Sequence, residues 1–191
     1  ERYSGHMKYC NIIPKIYIKY GSLFLQEDCK QPEEVSAVAF CEQAENTGAD
    51  EILIYEFSET DEEHEKNIHL VKEICDATDI PVLLGGNIKR LEDVKKYIYA
   101  GAKMAVLDAA KDSNLDLLKE ASARFGTDKI AIRFEAVGDT ISQLDDHLED
   151  VSQEIIDACV QFANQGAGLC ILEESVSTKL LDILKEIGYD G

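Results

Sequence analysis

The chain has 191 residues, 45% of them hydrophobic, with 19 basic against 38 acidic side chains and a formal charge of −19. This is enough apolar material for one domain with its own core and too much for a disordered chain. Nucleic acid and anionic membrane both call for clustered Lys and Arg, so this charge excludes them as partners.

Glu1 to His6 read as an expression-tag remnant and Met7 as the natural start, which gives a single domain over residues 7–191. Short apolar runs then alternate with amphipathic ones. Strands are predicted at 12–18, 52–57, 81–84, 105–108, 130–134 and 169–172. Most are apolar without interruption, the pattern of parallel strands covered on both faces. Between them, Ile68, Val71, Ile74 and Cys75 share a helix face. Leu91, Val94 and Ile98 share another, and Leu148, Val151, Ile155, Cys159 and Phe162 a third. Leu180, Leu181, Leu184 and Ile187 form the last. Asn114 and Ser177 are placed to cap helix starts. Six β/α repeats in succession predict an α/β fold with a parallel sheet.

Three junctions repeat a local pattern. Asn46-Thr47-Gly48-Ala49-Asp50 precedes the second strand, Gly101-Ala102 the fourth, and Asn164-Gln165-Gly166-Ala167-Gly168 the sixth. Each Gly sits where a helix ends in a left-handed residue. The first and last lie four repeats apart, which suits a (β/α)8 barrel of two similar halves. A closed barrel needs eight repeats and six are counted, so the fold is read as a TIM-type barrel truncated to six. Open edges of such a sheet favour self-association, and a homo-oligomer is one expected state.

Acids cluster between Glu56 and Glu65 and again between Asp139 and Glu154; solvated helix starts account for them better than a metal site. Cys10, Cys29, Cys41, Cys75, Cys159 and Cys170 contain no C-x-x-C pair, which predicts a reducing compartment without disulfides. No leader of charged then apolar residues is visible and no run nears the ~20 apolar residues of a membrane span. A cytoplasmic protein without metal or cofactor is expected. His64 and His69, five residues apart on an acidic helix, share no face, and His147 sits among acids.

In a (β/α) barrel the chemistry stands at the C-terminal strand ends. The candidates there are Tyr17, Glu56, Gly85-Gly86-Asn87, Asp108, Arg133, and Glu173 with Glu174. Gly85, Gly86 and Asn87 form a strand–turn–helix junction whose N–H groups could cradle a phosphate. A tight turn needing Gly for its geometry is an equal reading.

Asn11-Ile12-Ile13-Pro14 with Lys19 and Gly21, Gly48 to Leu53, and Ile80 to Ile88 with Glu92-Asp93-Val94 resemble the barrel enzymes of histidine biosynthesis. These are the cyclase subunit of imidazole glycerol phosphate synthase and the related phosphoribosylformimino carboxamide ribotide isomerase. The resemblance is strong over residues 8–110 and fainter through Gly168. It implies a barrel that binds a phosphoribosyl compound by a phosphate at each end. It also implies a catalytic Asp at the end of the first strand and another at the end of the fifth. Tyr17 and Arg133 stand there instead. Neither a phenol of pKa ~10 nor a guanidinium near ~13 shuttles protons at neutral pH. The substrate-holding loop Lys of the family matches Leu25, and its phosphate-side Asn matches Asp108, a carboxylate that would repel phosphate.

The reading is therefore a degenerate histidine-biosynthesis barrel, a non-catalytic binding or scaffold module. Family habit suggests fusion to phosphoribosyl-AMP cyclohydrolase or phosphoribosyl-ATP pyrophosphohydrolase. The alternative is an active isomerase or cyclase with rearranged residues: Glu56 with Glu174 as the acid–base pair, or Glu135 sliding into the slot given to Arg133. A phosphoribosyl sensor that kept only Gly85-Gly86 is the third reading. A further expectation is that Arg133 pairs with Glu135, Glu56 or Asp108 and closes the strand ends with ionic contacts.

Overall fold

A computed structural model of the chain describes residues 11–111, 113–135 and 148–173, with the side chains of 135 and 148–156 left aside. By their contacts they belong to two compact units, one running up to Asn87 with Lys96–Lys103, the other comprising Ile88–Lys95 with Met104 onward.

In the first unit, β1 (Lys15–Lys19) turns back into the short β2 (Ser22–Phe24), then follow α1 (Ala37–Asn46), β3 (Ile52–Phe57), α2 (Asp61–Ala77) and β4 (Val82–Gly86). The strand order is β2-β1-β3-β4. β1–β3 and β3–β4 are parallel, and β1–β2 is antiparallel. Helix α3 (Leu91–Tyr99) begins in the second unit and ends in the first. The second unit continues with β5 (Met104–Asp108), α4 (Ser113–Phe125), a 3₁₀ turn (Thr127–Lys129), β6 (Ile130–Glu135), α5 (Leu148–Gln165) and β7 (Leu169–Glu173). Its strands lie in the order β5-β6-β7, all parallel. The fold class is α/β of the (β/α) barrel type, with six strands in β/α succession, as the apolar runs predicted.

The six expected strands are present with ends shifted by at most three residues. The added strand is β2. Tyr20 and Gly21 join it to β1 with φ of 53° and 75°, the left-handed pair of a two-residue hairpin whose twist matches its strands. The core of the first unit is built on Ile16, Ile18, Ile52, Ile54, Leu83 and Leu84, all at most 2% exposed.

The three repeated junctions share one hydrogen-bond geometry. Gly48 N–H donates to Glu45 O and Ala49 N–H to Ala44 O; Gly101 and Ala102 do the same to Ile98 and Tyr97, and Gly166 and Ala167 to Ala163 and Phe162. This is the double-bonded helix ending that needs a left-handed residue, and the three glycines have φ of 99°, 110° and 113°. Asn114, expected as a cap, lies inside the first turn of α4. It is buried, and its Nδ2 reaches back 2.8 Å to Asp108 O, tying the helix to the preceding strand end. Ser177 lies outside the described residues.

Candidate functional site

Strand alternation decides which face each candidate occupies. In the first unit Tyr17 is in register with Tyr55, and Lys19 with Phe57. Tyr17, Tyr55 and Phe57 therefore share one face, and their rings confirm it. Tyr17 stacks on Phe57 at 5.9 Å with 10° between planes and lies against Tyr55 at 5.9 Å. At 4% exposure, Tyr17 fills an aromatic cluster at the position where the resemblance calls for a proton-shuttling carboxylate.

Glu56 falls on the opposite face. It is fully buried, turned toward α2 and α3 rather than toward the open strand ends. Oε1 accepts from Asn67 Nδ2 at 3.2 Å and meets His64 Nδ1 at 3.1 Å, and Oε2 accepts from Tyr97 Oη at 3.1 Å. Asn67 also donates to Phe57 O at 2.9 Å and accepts from Gly21 N at 3.2 Å, linking β3 to the β1–β2 hairpin. Glu56 is thus the centre of a polar knot that seats α2 on the sheet. Sequence reasoning set His64 aside because it shares no face with His69. The telling spacing was His64, Asn67, Val71 and Ile74, whose members are all buried on one side of α2.

The Gly85-Gly86-Asn87 turn is shaped by close backbone approach. A Cβ on Gly86 would lie 2.0 Å from Glu56 O, and its φ is 105°. Asn87 N–H donates to Glu56 O at 3.3 Å and its Nδ2 to Ser58 O at 3.3 Å, so these donors already have partners. In the second unit, Asp93 is nearly buried, and its Oδ2 accepts from the N–H groups of Lys89 and Arg90 at 3.0 and 3.1 Å. A carboxylate therefore holds the amides at the entrance of α3, as an anion at a helix start would.

Arg133 in β6 is in register with Asp108 of β5 and Ile171 of β7, and Glu135 with Glu173. Alternation puts Asp108, Arg133 and Glu173 on one face. The Arg133 side chain, 12% exposed, sits between two carboxylates. Nη1 is 3.9 Å from Asp108 Oδ2, and Nη2 is 3.9 Å from Glu173 Oε2. The expected ion pair is present with Asp108, and Glu173 is an added partner that the sequence reading missed. Asp108 Oδ1 also accepts from Ala110 N–H at 3.0 Å. Glu174 lies outside the described residues, so its suggested pairing with Glu56 is not described. Glu56 itself is committed to the helix side.

On the far rim of the first unit, Glu59 accepts from Tyr20 Oη at 3.0 Å and pairs with Lys19 at 3.3 Å. The Tyr20 and Lys19 contacts hold the Glu59 carboxyl below its usual range. Burial pushes the thiols of Cys41 and Cys170 up to about 12 and that of Cys75 to about 11. Among the described residues, no group of three or more His, Cys, Asp or Glu is arranged to hold a metal ion. No helix among them is long and apolar enough to cross a membrane.

The repeated β/α order, the glycine junctions and the Gly-Gly turn after β4 define a barrel-type α/β protein. The chain belongs to the histidine biosynthesis protein family, whose model matches residues 11–177. It is 31% identical over 141 residues to the imidazole glycerol phosphate synthase subunit HisF of Methanococcus vannielii, covering 71% of this chain and 50% of that protein. The subunit HisF of Methanococcus maripaludis is 30% identical over 146 residues, covering 73% of this chain and 52% of its own length. That of Streptococcus gordonii is 27% identical over 129 residues, covering 65% and 51%. The chain spans about half the length of the curated relatives it matches.

Proposed function

We propose that this chain is a non-catalytic member of its family, a histidine-pathway module that binds or scaffolds without turning over a sugar phosphate. The observation that carries this reading is the setting of Arg133. At the position where the family resemblance asks for a carboxylate, a guanidinium lies between Asp108 and Glu173 at 3.9 Å from each. A permanent cation with paired neighbours has no proton to exchange. Tyr17, packed between Phe57 and Tyr55, supports the same conclusion at the other position. General acid–base groups contribute about 10²–10⁴-fold each, so replacing both brings family-type turnover below detection.

The alternative, an active isomerase or cyclase with rearranged residues, needs a carboxylate free to work. Glu56 carries three side-chain partners on the helix side, which favours the inert reading. A phosphoribosyl ligand at Gly85, Gly86 and Asn87 would have to compete with the bonds Asn87 already makes to Glu56 and Ser58. The curated relatives are named as subunits of a synthase, and a partner from the same pathway, fused or separate, fits a scaffold role.

The test is turnover. The purified chain is offered the aminoaldose isomerase substrate, and separately the synthase substrate with ammonia, with calorimetric titration of the same compounds. The expected result is no product. Product formation from either substrate would overturn the proposal, and binding without product would agree with it.

A further inference from the structure

The second compact unit brings two thiols together by an argument independent of the strand ends. Cys170 is in register with Ile132, and Leu172 with Phe134. Alternation places these four side chains on one face of the β6–β7 pair. Phe134 meets Phe162 of α5 with ring centroids 5.5 Å apart, so that face is the one α5 covers. Cys159 precedes Phe162 by three residues on the same helix and shares its side. The contact follows. Cys170 Sγ lies 3.8 Å from the backbone O of Cys159, although the two are eleven residues apart. Both residues are partly exposed, and both are thiols as the structure stands.

We infer that Cys159 and Cys170 form a dithiol that a hydroperoxide converts reversibly to a disulfide, pinning α5 to β7. In the first step the Cys159 sulfur attacks the terminal peroxide oxygen. The O–O bond breaks, the thiol proton passes to the departing oxygen, and water (or the alcohol) leaves with a sulfenic acid on Cys159. In the second step the Cys170 sulfur attacks the Cys159 sulfur. The S–OH bond breaks and the Cys170 proton leaves with the hydroxyl as water. Sulfur is oxidised by two electrons and the peroxide is reduced by two. The order follows from burial: the Cys170 thiol, pushed up to about 12, is the poorer first nucleophile and serves as the resolving group. The sulfur of Cys170 already rests on the backbone of the residue carrying the other thiol, so closure needs local side-chain rotation.

Three other cysteines are described. Cys41 is fully buried on α1, Cys75 on α2 is partly exposed, and Cys29 lies on a loop of the first unit. The sequence also simplifies detection, because trypsin leaves residues 134–179 as one peptide holding both thiols and no Lys or Arg before its end.

The native chain is treated with hydrogen peroxide, quenched with N-ethylmaleimide, digested and weighed. The expected result is a 134–179 peptide lighter by two hydrogens that takes up no maleimide, and that recovers two maleimide sites after thiol reduction. In Cys159→Ser the same dose should leave Cys170 open to maleimide. In Cys170→Ser it should leave Cys159 as a sulfenic acid trapped by dimedone. A peptide that keeps both maleimide sites, a sulfinic acid on wild-type Cys159, or a link from either residue to another cysteine would each overturn the inference. Circular dichroism of the untreated variants checks that serine has not unfolded the unit.

Discussion

Replacing Arg133 by Met keeps most of the side-chain volume and removes the charge, and it puts the closed-strand-end reading at risk. At about 4 Å and an effective dielectric near 20, each carboxylate attracts the guanidinium by roughly 4 kcal/mol before desolvation is subtracted. Both pairs stand at 3.9 Å, the outer limit of direct pairing, and Asp108 keeps 30% of its side chain in water, which screens its share. Glu173, only 11% exposed, would be left as a poorly solvated carboxylate. Breaking one partner of a buried pair costs about 3–5 kcal/mol, and the long, partly wet geometry here reduces that to about 2 kcal/mol. In a domain of this size that lowers Tm by roughly 4–8 °C, and it moves the urea midpoint by about 1 M at an unchanged m-value. Urea titration followed by circular dichroism measures it. The double variant Arg133→Met/Glu173→Met removes the orphaned charge and should recover more than half of the loss. A single variant as stable as wild type to within about 0.5 kcal/mol would refute the reasoning, because then Arg133 holds nothing together. A double variant no better than the single would show the loss to be packing rather than charge.

Further expectations concern the first unit. Tyr97→Phe deletes only the hydroxyl that reaches Glu56 Oε2 at 3.1 Å, and with the carboxylate fully buried the loss should be about 1–3 kcal/mol by denaturant titration. Gly86→Ala would drive a methyl into Glu56 O at 2.0 Å while imposing φ of 105° on a residue with a Cβ; the soluble yield should collapse, or stability fall by more than about 3 kcal/mol. The thiols of Cys41 and Cys75, raised from 9.0 to about 12 and about 11, make stability depend on alkaline pH. Below pH 9 both states hold the protons and nothing changes. Above it the unfolded chain ionises first, so stability falls with rising pH by up to about 1.4 kcal/mol per unit per thiol until the folded values are reached. Cys41→Ala should flatten the slope between pH 9 and 11 relative to wild type, and an unchanged slope would mean that the thiol is not the titrating group.

The strands were legible because most are short apolar runs bounded by turn residues, and the helix ends because Gly48, Gly101 and Gly166 each occupy a left-handed position. β2 was passed over because three residues leave no periodicity to read. The available signal was the Tyr20-Gly21 turn, whose backbone demand is visible only when a hairpin is considered. Glu56 was assigned to the open strand ends for want of its facing. Had alternation been counted from Tyr17 through the parallel register, Glu56 would have fallen with Ile54 on the helix side. The knot it makes with His64, Asn67 and Tyr97 draws on residues 8, 11 and 41 positions away, and only the folded register brings these together. Arg133 with Asp108 was foreseen from charge balance; Glu173 was missed because no pairing register was available.

The two faces of the strands have taken different courses. In the first unit, the strand position that the family resemblance assigns to proton transfer holds an aromatic filler, Tyr17; in the second, considered by itself, the corresponding position holds a paired cation, Arg133. On the helix side, Glu56 meets three side chains, and Asp93 of the second unit caps two amides. A working acid–base site needs groups whose partners are incomplete until substrate arrives, and that incompleteness costs stability. On the proposed reading, the contacts of Arg133 with Asp108 and Glu173 serve one another rather than a ligand. A protein relieved of turnover can trade unsatisfied polar groups for internal pairs, and the Asp108–Arg133–Glu173 contact has the form such a trade would take. On this argument, reinstating a carboxylate at position 133 alone would not restore chemistry. Arg133→Asp would set three acids on one face with no cation between them, and the first measurable effect would be lost stability at neutral pH, regained as the pH is lowered.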